Sequence, residues 1–123
     1  MKFCAIILNR NLPKVTDSLY NKLKKNNKNL DIFVVEAGSD RNKLSKNVTW
    51  HANWPQVKKN GLRYYRGMNF GLSKLFEEKK FYNYDAFILL TNDTIFSNFK
   101  ITSKISRIFN KHKKIGILSP CSK

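Results

Sequence analysis

The sequence predicts an α/β fold, a mostly parallel sheet with helices on both faces, and three observations carry that prediction. Short apolar runs such as Phe87-Ile88-Leu89-Leu90 lack the polar alternation of a half-exposed strand, as strands buried on both faces do. These runs alternate with segments whose apolar residues recur at helical spacing, the order expected of parallel strands joined by crossovers. Three of the runs end abruptly in polar clusters. In open α/β sheets, ligands bind just beyond the carboxyl ends of the strands.

Residues 3–8, apolar throughout, form the first strand. Pro13 suits a first helical position, and Val15, Leu19, Tyr20 and Leu23 lay one apolar stripe behind it. The lysines and asparagines of residues 22–29 end that helix and make a turn. Residues 30–35 form a second buried strand, closing at Glu36, and Ala37-Gly38-Ser39-Asp40 is loop chemistry. Residues 48–52 form a short third strand, and residues 53–64 a long loop with Pro55 and Gly61. A helix follows over residues 65–80, with Met68, Leu72, Leu75 and Phe76 on its apolar face. Gly67 and Gly71 in its first half permit close approach to a ligand or to another element. Residues 86–90 form the next strand. Residues 99–112 form a helix with Ile101, Ile105, Ile108 and Phe109 on one face, and residues 115–118 a last short strand stopped by Pro120.

A chain of 123 residues suits a single domain, 1–123, and no internal repeat or low-complexity block divides it. The net charge of +16 suits an anionic partner, whether nucleic acid, an anionic membrane surface or a phosphorylated substrate. The lysines are scattered, however, and the wealth of Asn, Ile, Phe and Tyr is what AT-rich codons give, so charge singles out no partner. Cys4 and Cys121, without a histidine pair, do not make a zinc site. Cys4 is expected as a small core residue, and a reducing, cytoplasmic location is the default. No apolar run reaches membrane-spanning length, and the apolar start breaks at Asn9-Arg10-Asn11, before a secretory signal would be complete. There is no P-loop, no Gly-x-Ser-x-Gly elbow and no Cys-x-x-Cys. His51 and His112 lack partners at ligand or triad spacing; a structural role is expected for the first and a helix-end cap for the second.

If the strands are parallel, their carboxyl ends line up. Asn9, Arg10 and Asn11 follow the first, Glu36, Gly38, Ser39 and Asp40 the second, and Thr91, Asn92 and Asp93 the fourth. Such a rim offers carboxylates for a metal or a ribose and arginine for phosphate. Asp93 could hold a divalent cation against a phosphate. The alternative is that Asn92, Asp93 and Thr94 are ordinary turn and cap residues, and the motif alone leaves both open. Arg63 and Arg66 flank Tyr64-Tyr65 at a helix start, a natural place for an anion.

In order along the chain, Ile6-Ile7-Leu8-Asn9-Arg10, Val34-Val35-Glu36-Ala37-Gly38-Ser39-Asp40, Gly67-Met68-Asn69-Phe70-Gly71, Leu89-Leu90-Thr91-Asn92-Asp93-Thr94 and Ile115-Gly116-Ile117-Leu118-Ser119-Pro120 resemble the amino-terminal half of the family 2 nucleotide-sugar glycosyltransferases. These have the GT-A fold, whose donor-binding half is Rossmann-like. The resemblance implies a nucleoside-diphosphate sugar as donor, and a saccharide or lipid-linked acceptor. It implies that Asn9, Arg10, Ser39 and Asn92 lie in the donor site and that Glu36 contacts the base or ribose, where an aspartate is usual. It further implies that Asp93 binds Mg or Mn bridging the donor diphosphate, that Arg63 or Arg66 helps neutralise that diphosphate, and that Asn69 supports the pocket. Thr91 stands where the family usually has Asp or Asn, and the Gly-Ser-acid loop is one residue short. On this resemblance the acceptor site and the catalytic base of inverting members come after the fifth strand. No catalytic residue is therefore assigned, and the chain alone is expected to bind donor and to transfer little or nothing.

Two other classes fit parts of the sequence. A small basic nucleic-acid-binding protein would fit the charge and the aromatic residues, but no helix-turn-helix, aromatic–basic strand motif or zinc knuckle is present, so no specific nucleic acid is expected. A nucleotidyltransferase would need a glycine-rich, arginine-containing loop after the first strand, which is missing. A peripheral contact with an anionic membrane stays compatible with the charge.

Overall fold

The computed structural model describes residues 1–119. The chain is a Rossmann-like α/β fold: β1 (Phe3–Asn9), α1 (Pro13–Asn26), β2 (Asp31–Ala37), β3 (Trp50–Ala52), α2 (Pro55–Asn60), α3 (Tyr64–Glu77), β4 (Ala86–Thr91) and α4 (Ile101–Lys111). Single 3₁₀ turns lie at Arg41–Lys43 and Phe81–Asn83. The four strands form one sheet in the order β3-β2-β1-β4, and every pairing is parallel. The register sets Asn9 beside Glu36 and Leu8 beside Thr91, which brings the ends of β1, β2 and β4 to one rim.

The pleat divides the core in two. Phe3, Ala5 and Ile7 of β1 point to one side, with Leu19 and Leu23 of α1, Val34 of β2, Leu90 of β4 and Ile101 of α4. Cys4 and Ile6 point to the other, with Val35, Trp50 and with Met68 and Leu75 of α3. Helices therefore lie on both faces, but the cover is complete only over β1 and most of β2. At the sheet edge β4 buries Leu90 and leaves Leu89 exposed, so the run at residues 87–90 is not buried on both faces as its sequence predicts. Ile6, Ile7, Leu23 and Leu75 are fully buried, each worth about 1.5–3 kcal/mol relative to exposure. Gly67 and Gly71 let α3 lie close on the sheet: a Cβ at Gly67 would come within 2.3 Å of Leu8 Cδ1, and one at Gly71 within 3.1 Å of Ile6 Cγ2 and Val35 Cγ2. Another element, rather than a ligand, fills the space these glycines leave.

Asn27 joins α1 to α4. Its Oδ1 accepts from the backbone N–H of Ile101 at 3.1 Å and of Thr102 at 3.2 Å, while Nδ2 donates to the carbonyls of Leu23 and Phe99. A buried turn residue thus satisfies the orphan donors of a helix that has no side-chain cap of its own.

Three expectations are corrected. Residues 53–64 are not one long loop, because α2 occupies Pro55–Asn60. Pro55 at its start and Gly61 just past its end are the usual punctuation of a helix. The last strand expected at residues 115–118 does not form; Ile117 is 91% exposed and lies against no strand. A four-residue run exists as a strand only if a partner edge supplies its hydrogen bonds, and β4 does not meet it. The helix expected over residues 65–80 ends at Glu77, because the chain turns at Lys79 with a φ of 59°. Pro120 and Cys121 lie outside the described residues.

Candidate functional site

The rim is organised around one buried carboxylate. Glu36 lies at the end of β2 with no exposed surface. Asn9 Nδ2, at the end of β1, donates to Glu36 Oε1 at 3.1 Å and to Oε2 at 2.8 Å. Ser39 Oγ donates to Oε2 at 2.6 Å, and the backbone N–H of Ser45 donates to Oε1 at 2.7 Å. A carboxylate can only accept, so the amide of Asn9 must turn its nitrogen toward Glu36 and its oxygen away. That oxygen accepts from the backbone N–H of Leu12 at 3.1 Å and from Asn92 Nδ2 at 3.0 Å. The hydrogen-bonded chain Asn92–Asn9–Glu36–Ser39 therefore ties three strand ends together.

The loop after β2 is held just as firmly. Gly38, with a φ of 83°, passes so close to α2 that a Cβ would stand 2.1 Å from the Val57 carbonyl oxygen. Ser39 Oγ accepts from the N–H of Asn11 at 3.0 Å, and Asn11 Oδ1 accepts from the N–H of Asp40 at 2.8 Å. His51 Nε2 lies 3.0 Å from the Ser39 carbonyl, which can only accept, so this nitrogen carries the proton. That is the structural role expected of His51. The Asp40 side chain is left exposed at the top of the loop.

The nine sequence-predicted site residues thus fall into three groups. Asn9, Glu36 and Ser39 are buried and bonded to one another, and Asn92 joins them from β4. Arg10 lies over the end of α2, where its guanidinium donates to the carbonyls of Asn60 at 3.0 Å and Lys59 at 3.3 Å. Arg63, Arg66, Asn69 and Asp93 are exposed. Asp93 follows Asn92 on the turn after β4 and has no hydrogen bond or ion pair among the described residues, whereas Thr94 Oγ1 bonds back to the Thr91 carbonyl.

The α3 amino terminus opens on the same rim. Arg63 precedes the helix, and Tyr64 Oη donates to the Leu89 carbonyl of β4 at 3.4 Å. Alongside, between α2 and α3, runs a groove of about 360 Å³. Its walls include Trp54, Gln56, Asn60, Arg66, Asn69 and Phe70. Trp54 and Phe70 meet with ring centroids 5.8 Å apart, and Trp54 stays 43% exposed. An aromatic wall with an arginine and several amides suits a flat, polar-edged ligand carrying negative charge. Arg66 and Asn69 were legible in the sequence; Trp54 was not, because it belongs to the site only once α2 forms.

A second network escaped the sequence entirely. Asp17 on α1 accepts from Ser45 Oγ, from Asn47 Nδ2 at 3.0 Å and from the N–H of Lys46 at 3.3 Å. Partial burial acts to raise its pKa, but the hydrogen bonds from Ser45, Lys46 and Asn47 outweigh that and hold it below the ordinary carboxylate value. The residue fixes the far end of the loop whose near end Glu36 holds. No sequence spacing signals a pair some thirty residues apart. Among the described residues, no three of His, Cys, Asp and Glu cluster closely enough to hold a metal by themselves. An ion at Asp93 would need ligand oxygens from elsewhere, as magnesium sites with one or two carboxylates and substrate phosphates do.

Comparison with known proteins returns no matching family model, no matching curated protein and no matching solved structure.

Proposed function

We propose that this chain is the donor-binding unit of a nucleotide-sugar glycosyltransferase of the GT-A type, acting in the cytoplasm. One observation supports this above the others: hydrogen bonds through Asn9 tie the ends of β1, β2 and β4 into one rim, with the exposed carboxylate of Asp93 beside it. In this proposal the groove between α2 and α3 receives the nucleoside, with Trp54 as its flat wall and Asn69 at its polar edge. Arg63 and Arg66 lie at and just inside the α3 amino terminus, where guanidinium and helix dipole favour a diphosphate. Asp93 would hold a divalent cation, Mg or Mn, together with diphosphate oxygens. Bound there, the cation would supply positive charge against the leaving diphosphate of a sugar passed to a hydroxyl acceptor. Glu36 and Ser39 act here from inside: they shape the loop that carries Asp40 and do not face the donor. Arg10 steadies α2, and through it Trp54.

A thermal-shift panel of nucleoside diphosphates, with and without Mn, tests the proposal on this chain and on Asp93→Ala. A binding nucleotide raises the melting temperature with its occupancy. The stabilisation should depend on Mn in the parent and lose that dependence in the variant, and Trp54→Ala should weaken it with or without metal. A metal effect that survives Asp93→Ala removes Asp93 from the site; no stabilisation by any nucleotide ends the proposal.

A further inference from the structure

Beyond Asp17, which is taken up by Ser45, Lys46 and Asn47 of the loop after β2, the surface built by α1 and α4 carries charge of one sign. Residues 18–30 and 94–119 contain ten lysines and arginines and no aspartate or glutamate. All ten are exposed. Both helices pack on the same side of the sheet, and Asn27 fastens the end of one to the start of the other, so these cations share one face. The opposite side differs. Residues 55–85, which include α2 and α3, carry seven cations and three acids, and Lys74 and Lys80 are paired with Glu77 and Glu78. Among the described residues no ion pair engages any cation of the α1–α4 face.

Two further features decide what such a face fits. Just past Lys113 and Lys114, Ile117 stands 91% exposed and Leu118 38% exposed. A single-stranded nucleic acid would call for exposed aromatic rings as stacking platforms. The exposed aromatic residues are Trp54, Tyr64, Tyr65, Phe76 and Tyr82, all in the segment that covers the other side. Lysines beside solvent-exposed aliphatic side chains are instead the combination that holds a protein at the surface of an anionic bilayer.

We propose that the α1–α4 face docks on an anionic lipid surface, with its lysines and Arg107 at the headgroups and Ile117 and Leu118 reaching the boundary of the acyl chains. This stands independently of the donor site. Co-sedimentation tests it, with vesicles of phosphatidylcholine alone and with about one-quarter phosphatidylglycerol. The chain should bind only the anionic vesicles. Lys104→Glu/Lys111→Glu should weaken partitioning by about tenfold or more, whereas Lys58→Glu/Lys59→Glu, an equal change of charge on α2, should cost less than about threefold. Ile117→Ser, which leaves the charge unchanged, should also weaken binding several-fold. All the substituted residues are exposed, so the variants should keep the parent's circular dichroism. Equal losses from the two lysine pairs would overturn the proposal, since net charge alone would then explain binding. So would an Ile117→Ser variant that partitions like the parent while Lys104→Glu/Lys111→Glu weakens binding to single-stranded RNA, because the face would then serve a nucleic acid.

Discussion

Asn9 Nδ2 lies 2.8 Å from one oxygen of Glu36 and 3.1 Å from the other, so an amide at the end of one strand closes over a fully buried carboxylate at the end of its neighbour. No lysine or arginine forms an ion pair with Glu36 among the described residues. Neutral donors alone hold it in place. Asn9→Ala removes donors from Glu36 and an acceptor from Leu12 and Asn92, and should cost about 2–4 kcal/mol in urea unfolding. Asn9→Asp keeps the shape but sets a second carboxylate against Glu36, and should be worse than Asn9→Ala. An Asn9→Asp protein as stable as the parent would mean that the Asn9–Glu36 bond does not hold the rim.

Gly38 and Gly116 separate backbone constraint from mere composition. Gly38 has a φ of 83° and backbone of α2 directly in the way of a Cβ, whereas nothing lies within 4 Å of a Cβ at Gly116. Gly38→Ala should therefore destabilise by about 2 kcal/mol or more and lower any nucleotide affinity by shifting α2. Gly116→Ala should stay within about 0.5 kcal/mol of the parent. Chemical denaturation of the two variants side by side is the measurement, and similar midpoints would contradict the packing of the β2 loop on Val57.

Asp17 makes stability depend on pH at the acid end. Its pKa is lowered in the folded chain because hydrogen bonds from Ser45, Lys46 and Asn47 favour the charged form more than partial burial opposes it. A lowered value means that the stabilisation is fully present above the unfolded carboxylate pKa near ~4 and is lost as pH falls through the folded value. Asp17→Asn should be less stable than the parent at neutral pH, and the two should converge on acidification below about 4. Melting temperatures across that range give the answer; a gap that stays constant would assign the effect to shape rather than charge.

Cys4 is fully buried in β1, and burial, followed by the nearby charge of Asp31, pushes its thiol up to about 12. The thiolate is the reactive form, so Cys4 should resist alkylation by iodoacetamide at pH 8 while the chain is folded and react once it is denatured. Peptide mass mapping reads this residue by residue. Rapid labelling of Cys4 under native conditions would show that β1 opens readily and is not the central strand of a stable sheet.

Local pattern was enough to mark all four strands and three of the helices. β1 and β4 are runs of apolar residues with no polar alternation and β2 is nearly so, the short β3 alternates, and each of those helices carries a stripe, such as Leu19 and Leu23 or Leu72 and Leu75, that only one period explains. The meeting of the strand ends was legible as well, because parallel strands joined by crossovers must finish on the same side. What local pattern could not supply was the fate of individual polar side chains. Glu36 and Asp93 both follow an apolar run, yet one is sealed inside by Asn9, Ser39 and Ser45 and the other is left in water. Ser39 is a local partner, three residues on, but the other two are 27 and 9 residues distant and are brought close by strand register and loop closure. The same holds for the run at residues 115–118. Its apolar sequence is that of a strand, but a strand is completed by hydrogen bonds to another, and the tertiary structure brings no edge to it. Sequence by itself determined the period of each segment, because period follows from side chains next to one another; the tertiary structure alone decided how deeply each apolar run is buried, Leu89 of β4 and Ile117 staying exposed, and which carboxylates face inward, because both depend on what the chain brings from far away.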